Sequence, residues 1–177
     1  MAREQRIEVS EQAYLSAIRA SDQGALVAQL NDGQIYRNTL RISSPYSFED
    51  AGKFLRIAAE ATERHGFPIH FAIRNPAGQL IGGCGFEGLV TAHRAEIGYW
   101  LARPYWGQGI MTDVVRAACR HAIAEWHLVR ISAHVFDFNT ASSRVLEKNG
   151  FAYEGTLRKH CRKDGEYLDS RVYALVR

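Results

Sequence analysis

The segment RPYWGQGIMTDVVRAACRHAIAEW, residues 103–126, constrains the fold more than any other part of the chain. Apolar residues recur at helical spacing from Ile110 onward, and Gly107 and Gly109 stand just before them. The stretch RAEIGYWLA, residues 94–102, alternates as a strand does. The pattern therefore predicts a strand, a glycine loop and a long helix in succession.

The local pattern leaves two interpretations of the glycine loop open. Glycine accepts a positive φ, so the loop can be a tight turn. The N–H groups at a helix start, with the positive end of the helix dipole, also form an anion site. A nucleoside-triphosphate P-loop requires a lysine after Gly109, where the chain has Ile110 and Met111. A Rossmann fingerprint requires a third glycine in place of Thr112, so neither pattern fits.

The order of helix and strand patterns predicts an α/β fold. The elements expected before the glycine loop are a strand over 13–21, helices over 23–32 and 47–66, and antiparallel strands over 69–75, 79–90 and 94–102. After the loop come the helix from Ile110, a strand over 129–136, a short helix from Asn139 to Gly150, and a hairpin turned at Asp164-Gly165. We expect one domain over 1–177, with a central, mostly antiparallel mixed sheet of six to seven strands and helices on both faces.

Composition argues against several functional classes. The net charge of +3 is spread along the chain, without the clustered Lys and Arg of a nucleic-acid footprint. No apolar run approaches the roughly 20 residues that cross a bilayer, and the polar start MAREQRIEVSEQ has no signal-peptide apolar region. Cys84, Cys119 and Cys161 form no C-x-x-C pair, and no H-E-x-x-H occurs. We expect a cytoplasmic protein without a disulfide framework, a metal, or a nucleic-acid or membrane partner.

Three motifs in order resemble the GNAT superfamily of acyl-CoA-dependent N-acetyltransferases. They are AEIGYWLARPYWGQGIMTDVVRAACRHA, NTASSRVLEKNGFAYEGTLR and KDGEYLDSRVYAL, which together span most of residues 95–175. Within the superfamily, the chain most resembles the branch that includes the ribosomal-protein N-terminal acetyltransferases. One departure is Pro104, where the superfamily pattern Q/R-x-x-G-x-G/A has Gln or Arg. This branch commonly tolerates that change.

The resemblance implies acetyl-CoA as co-substrate, with no metal. It assigns the pyrophosphate cradle to Gly107 and Gly109 with the backbone amides around them. The strand before the loop is implied to pair with the pantetheine arm and to offer an amide to the thioester oxygen. Asn139 resembles a residue that contacts the cofactor arm, with a plain helix cap as the alternative. The implied cofactor-binding residues are Tyr99, Trp100, Leu101, Trp106, Gly107, Gln108, Gly109, Ile110, Met111, Asn139 and Ser142.

The resemblance also implies candidates for proton transfer. Glu96 occupies a position where the family often has a carboxylate that draws a proton from the amine through water, with a structural ion pair as the alternative. Glu154 is the competing carboxylate. Leu146 stands where many members have a tyrosine that protonates the departing thiolate. Ser142, three residues after Asn139, is either the general acid proposed for this branch or a hydroxyl that contacts cofactor or backbone.

The expected reaction moves an acetyl group from acetyl-CoA to a primary amine by direct attack in a ternary complex. The expected acceptor is a protein N-terminus or a small amine. Tyr167, Asp169 and Tyr173 are candidates to line the acceptor side of the site, with packing across strands as the alternative. A non-catalytic acyl-CoA-binding module and a structural domain without ligand are the alternatives. A free strand edge at either end of the sheet can support a homodimer.

Overall fold

The computed structural model describes residues 6–177, and residues 1–5, where the expected domain and the polar start begin, lie outside the described residues. The strands are β1 (Arg6–Ser10), β2 (Ala13–Ala17), β3 (His70–Arg74), β4 (Leu80–Val90), β5 (Arg94–Leu101), β6 (Arg130–Phe136), β7 (Ala152–Lys163) and β8 (Glu166–Val176). The α-helices are α1 (Gln23–Leu30), α2 (Gly33–Asn38), α3 (Phe48–His65), α4 (Ile110–Trp126) and α5 (Thr140–Lys148).

The strands form one mixed sheet in the order β1-β2-β3-β4-β5-β6-β8-β7. Strand β5 pairs with β6 in parallel, whereas β1–β2, β2–β3, β3–β4, β6–β8 and β7–β8 are antiparallel. A parallel pair requires a crossover connection, and α4 is that crossover. The α/β class and the mixed sheet expected from the sequence are therefore confirmed.

The sheet has eight strands rather than six to seven, because β1 is an additional edge strand. Its segment RIEVS alternates between exposed and half-buried residues, and none is buried. A strand without a buried face gives only a weak hydrophobic signal, since the pattern that marks strands is the alternation of core and solvent positions.

Helix α2 was also missed by sequence analysis. The first helix was expected to end near Asp32-Gly33, but α1 ends at Leu30 and Asp32 caps a second helix. The Asp32 carboxylate accepts the N–H groups of Gln34 and Ile35 at 2.8 and 3.1 Å. An Asp-Gly pair is both a stop and a start signal, and six residues are too few to show helical periodicity.

The predicted capping box of α3 and the final hairpin turn are confirmed. Ser47 Oγ accepts the Asp50 N–H at 3.1 Å, and the Asp50 carboxylate accepts the Ser47 N–H at 2.9 Å. The Ser47 hydroxyl, which donates to Asp50 Oδ2 at 2.6 Å, and the Ser47 N–H together lower the pKa of Asp50. Asp164 and Gly165 have φ values of 51° and 83°, as a type I′ turn requires at both central positions.

Contacts divide the described chain into two compact units, and the single-domain expectation stays a prediction. The first unit contains the chain up to Gly85 together with Tyr99–Val114. Its strands β3 and β4 are buried on both faces, because Phe71–Arg74 and Leu80–Cys84 are consecutive buried residues. One of its core clusters consists of Leu26, Leu30, Ile35, Tyr46, Ala51, Ala72 and Leu80.

Two glycines of β4 make room for Trp100 within the first unit. A Cβ on Gly82 would lie 2.6 Å from the Trp100 carbonyl oxygen, and one on Gly83 would lie 2.5 Å from the indole nitrogen. No partner for these glycines was predicted from the sequence. The structure shows that they are needed for close approach of the neighbouring strand.

A buried ion pair also lies in the first unit. The Arg74 guanidinium donates to both carboxylate oxygens of Asp22 at 2.9 and 2.8 Å and to Ser16 Oγ at 2.8 Å. The two charged side chains are only 7% and 8% exposed. The bidentate geometry satisfies both charges, which offsets the cost of removing them from water.

The second unit contains Phe86–Gly98 and Val115–Arg177. On β6, Ile131, Ala133 and Val135 are buried and alternate with residues that are not. The Phe86 and Trp126 rings pack edge to face at 5.1 Å. One face of this strand therefore belongs to the core, and the other carries the polar side chains of Arg130, Ser132 and His134.

We expect Gly82→Ala to lower the free energy of unfolding by about 1–3 kcal/mol, because the added Cβ meets a backbone atom that no rotamer change can move. Gly24→Ala is the control, since its Cβ has nothing within 4 Å and alanine favours helix α1. Urea denaturation measures both. Equal stability of the two variants would show that β5 can move away at no cost.

We expect Asp22→Asn to destabilise the protein by about 3–5 kcal/mol, because it leaves the Arg74 charge buried without a countercharge. Glu49→Gln removes the exposed ion pair with Lys53 and serves as the control, for which little change in melting temperature is expected. Thermal unfolding of both variants tests this, and a loss no larger than that of the control would contradict it.

Candidate active site

The glycine loop in the first unit is held by hydrogen bonds on its N-terminal side. After β5, residues Arg103–Tyr105 form a 3-10 turn, and the Trp106 N–H donates to the Arg103 carbonyl at 3.1 Å. The Trp106 indole N–H donates to the Leu101 carbonyl at 2.6 Å. The Arg103 guanidinium lies 5.1 Å from the centre of the Trp106 ring. Trp106 therefore fixes the loop against the end of the strand.

The loop itself has the backbone that its sequence predicts. Gly107 and Gly109 have φ values of 75° and 80°, in the region that favours glycine. A Cβ at either position would have no protein atom within 4 Å. The Gln108 side chain donates to the Pro104 carbonyl at 2.9 Å. The two glycines are thus needed for conformation, and the space above them is open to a ligand.

Helix α4 starts directly after the loop. Ile110 is its first residue, and the Asp113 N–H donates to the Gly109 carbonyl at 3.2 Å. The first N–H groups of an α-helix have no acceptor within the helix, and its dipole adds partial positive charge there. The backbone from Gln108 to Met111 can therefore donate to an anion without any cationic side chain.

The end of β5 contributes backbone rather than open side chains beside the glycine loop. Leu101 is 7% exposed, and the Trp100 indole lies across Gly83. The Ala102 N–H donates to the Ile81 carbonyl at 2.8 Å. Together with the indole bond to the Leu101 carbonyl, this contact holds the segment that was predicted to pair with a pantetheine arm.

The second unit brings the candidate base Glu96 next to a histidine. His134 Nδ1 lies 3.1 Å from Glu96 Oε1, with side chains 30% and 41% exposed. Glu96 stands opposite Ser132 in the parallel register, and His134 is two residues further along the same face of β6. The His134 ring stacks on His160 with centroids 5.5 Å apart. Neither histidine was predicted as a site residue from the sequence.

The competing carboxylate Glu154 has a different partner. Its oxygens accept two hydrogen bonds from the Arg130 guanidinium, one of them at 2.9 Å. This bidentate bond lowers the pKa of Glu154 and raises that of Arg130. A carboxylate bound to a permanent cation is a poorer proton acceptor. The alternation in VRISAHVF could have identified both partners of the two carboxylates, because it places Arg130 and His134 on one face of the strand.

Asn139 is confirmed as the cap of α5. Its side-chain oxygen accepts the Ser142 N–H at 3.2 Å. The cap uses the oxygen, so the amide NH₂ group is the part that can contact a cofactor arm. Ser142 is half-buried, and Leu146 is fully buried, as expected for a residue that packs rather than reacts.

The three residues proposed for the acceptor side have separate environments. Tyr173 is 2% exposed, packs on Tyr153, and donates to Glu147 at 3.2 Å, so packing explains its presence. Asp169 accepts the Lys159 N–H at 2.7 Å in a bulge of β7. Tyr167 is 62% exposed.

The cysteines are free thiols, two buried and one half-buried. Burial raises the pKa of the Cys119 thiol to about 12, so this thiol stays protonated and unreactive at neutral pH. Within residues 6–177 no group of His, Cys, Asp and Glu side chains could hold a metal ion. Among the helices of that same range, none is long and apolar enough to span a bilayer.

Comparisons with known proteins point to one family. A family model described as an acetyltransferase (GNAT) domain matches residues 13–152. An uncharacterized N-acetyltransferase of Bacillus subtilis (strain 168) is 32% identical over 171 residues, which are 95% of each chain. The [ribosomal protein uS5]-alanine N-acetyltransferase of Escherichia coli (strain K12) is 28% identical over 64% of this chain and 60% of that enzyme.

A solved structure extends this likeness to the fold. A ribosomal L7/L12 α-N-protein acetyltransferase in complex with coenzyme A superposes with a TM-score of 0.88 at 25% identity. The match covers 97% of this chain and 98% of that one.

We expect Gly109→Ala to weaken acetyl-CoA binding by about tenfold or more, equivalent to ~1.4 kcal/mol or more, because the Cβ enters the open space above the loop. Gly66→Ala is the matched control, since Gly66 caps α3 with a φ of 78° and nothing within 4 Å. Both variants should lose about 1–2 kcal/mol of stability through the left-handed backbone. Calorimetric titration measures the affinity, and equal affinity of the two variants would contradict the prediction.

Proposed function

Because this chain belongs to the GNAT acetyltransferase family, we propose that it acetylates the α-amino group at the N-terminus of a protein. The family membership makes it an acetyl-CoA-dependent N-acetyltransferase, as the three motifs indicated. The proposal for the acceptor is supported by the two ribosomal-protein N-acetyltransferases that the chain resembles. The observation that carries the activity is the open glycine loop at the start of α4.

The residues present suit acetyl-CoA. Gly107 and Gly109 keep the loop free of side chains, and the amides from Gln108 to Met111 would bind the pyrophosphate. The backbone of Tyr99–Leu101 would align the pantetheine arm. When bound, acetyl-CoA supplies an acetyl group activated as a thioester. The chain's contribution here is to hold that group in one orientation beside the amine, which accounts for much of the rate in such transfers.

Glu96 is the residue we assign as base. Its carboxylate takes a proton from the acceptor ammonium through water and leaves the amine nitrogen free to attack. Glu96 faces an imidazole rather than a guanidinium, whereas Glu154 is bound to Arg130. The lowered pKa of Glu154 favours Glu96 for this role.

A protein N-terminus makes the smallest demand on such a base. An ordinary α-amino group has a pKa of about 8 and is roughly one-tenth neutral at pH 7. A lysine amine with a pKa of about 10.4 is neutral in only about one molecule in 2,500. A single half-exposed carboxylate is therefore better matched to an α-amino acceptor than to a lysine.

Ser142 is the candidate donor of a proton to the leaving thiolate. Leu146 is buried and carries no proton to donate, whereas Ser142 offers a half-buried hydroxyl on the same helix. The buried Cys119 thiol, with its raised pKa, is not suited to carry the acetyl group. We therefore favour direct transfer of the acetyl group to the amine, which needs no nucleophilic side chain of the enzyme, over a covalent acetyl-enzyme intermediate.

Location and assembly are part of the proposal. Free thiols such as these suit a reducing compartment, so we place the protein in the cytoplasm. Strands β1 and β7 end the sheet, and either edge could join two copies in a homodimer.

The acceptor class is tested by thiol release from acetyl-CoA. We expect turnover with peptides that have a free N-terminus and little with matched N-blocked peptides that contain lysine, because of the difference in amine pKa. Small amines are assayed as a third group of acceptors. Turnover with small amines alone would reject the protein acceptor. Acetyl-CoA binding without turnover on any amine would favour a non-catalytic binding module.

We expect Glu96→Gln to lower kcat by about 10²- to 10⁴-fold, because the amide cannot accept the proton. Glu154→Gln removes the carboxylate charge bound to Arg130 and should leave kcat within a few-fold of wild type. Steady-state kinetics on the best acceptor compares the two. The reverse result would assign the base to Glu154.

A further inference from the structure

Three titratable side chains from three strands meet on the polar face of the second unit. Glu96 lies on β5, His134 on β6 and His160 on β7. His134 Nδ1 is 3.1 Å from Glu96 Oε1, and the two imidazole rings stack 5.5 Å apart at an interplanar angle of 15°. The array therefore connects the candidate base with the last strand of the sheet.

A bulge in β7 allows His160 to reach this array. Leu157 pairs with Ser170 and Cys161 pairs with Leu168, so the β7 segment is longer than the β8 segment opposite. Lys159 has a φ of 52°, and its N–H donates to Asp169 Oδ1 at 2.7 Å. Strand β8 separates β7 from β6 in the sheet, and a bulge redirects a side chain across such a neighbour.

The hydrogen bond between Glu96 and His134 has a defined direction. An ionised carboxylate can only accept, so Nδ1 must carry the proton of this hydrogen bond. A glutamate side chain rotates about three bonds, and a donor at 3.1 Å restricts it to few rotamers. The stacked His160 ring in turn restricts rotation of the His134 ring.

We propose that His134 is a positioning residue that holds the Glu96 carboxylate in one orientation through Nδ1–H, with His160 stacked behind it. The inference rests on the proposed function, because it assigns a purpose to the orientation of Glu96 only if Glu96 is the base. His134 holds its carboxylate through one hydrogen bond, whereas Arg130 binds Glu154 through two and lowers the pKa of Glu154.

The kinetic test uses His134→Ala and His134→Asn. We expect His134→Ala to lower kcat by about 10- to 100-fold while KM for acetyl-CoA stays unchanged, because the base is misplaced but the glycine loop is not. His134→Asn should recover most of kcat, since its amide NH₂ can donate from near the Nδ1 position. Ser132→Ala, opposite Glu96 in register, is the control and should keep wild-type kcat.

A double-mutant cycle separates positioning from a structural role. With Glu96→Gln as background, His134→Ala should cause no further loss in kcat, because no base remains for His134 to position. Wild-type kcat in His134→Ala, or fully additive losses in the cycle, would overturn the inference. If either of these results occurred while Glu96→Gln still lowered kcat, the proposed function would be supported and only the role of His134 would be rejected.

A second measurement does not depend on the acceptor. Two-bond ¹H–¹⁵N correlation of the neutral histidine rings should show the Nδ1–H tautomer for His134 in wild type and a shift toward the Nε2–H tautomer in Glu96→Ala, which removes the acceptor. The Nε2–H tautomer in wild type would overturn the inference even if no amine in the panel were acetylated.

Discussion

The parallel pairing of β5 with β6 is the constraint on which the rest of the structure depends. The other strand pairs with a described register are antiparallel, and adjacent antiparallel strands can be joined by short turns. A parallel pair needs a long connection, which the chain makes with α4. The β5–α4 loop therefore has to lead from a strand end into a helix start, where backbone N–H groups are available. The anion site follows from this connection and needs no cationic side chain.

Two carboxylates in the second unit show how partners assign roles to chemically identical groups. Glu154 accepts a bidentate bond from a guanidinium, and its pKa is lowered. Glu96 accepts one bond from an imidazole, and its side chain is 41% exposed. The same residue type thus serves an ion pair in one place and a candidate base in the other. Both partners, Arg130 and His134, come from β6 and are distant in sequence from the carboxylates that they contact.

Most elements were predictable because their signals are local. Ser47 and Asp50 cap α3 through bonds within one turn, and Asp164-Gly165 turns the last hairpin because both residues adopt a positive φ. The elements that were missed have weak local signals. Strand β1 has no buried face, and α2 is too short for periodicity. The β4 glycines carried a signal for close approach, but the identity of Trp100 as the neighbour required the structure.

The sequence by itself determined the class of fold, the glycine loop with its helix, and the order of the three motifs, because each depends on neighbours along the chain. Only the tertiary structure decided which groups face the two candidate carboxylates. Strand register brings His134 to Glu96 and Arg130 to Glu154, and a bulge in β7 brings His160 to His134. Register depends on pairing between distant segments, and a shift of one residue would move every side chain to the opposite face. Such pairings cannot be read from the periodicity of one segment.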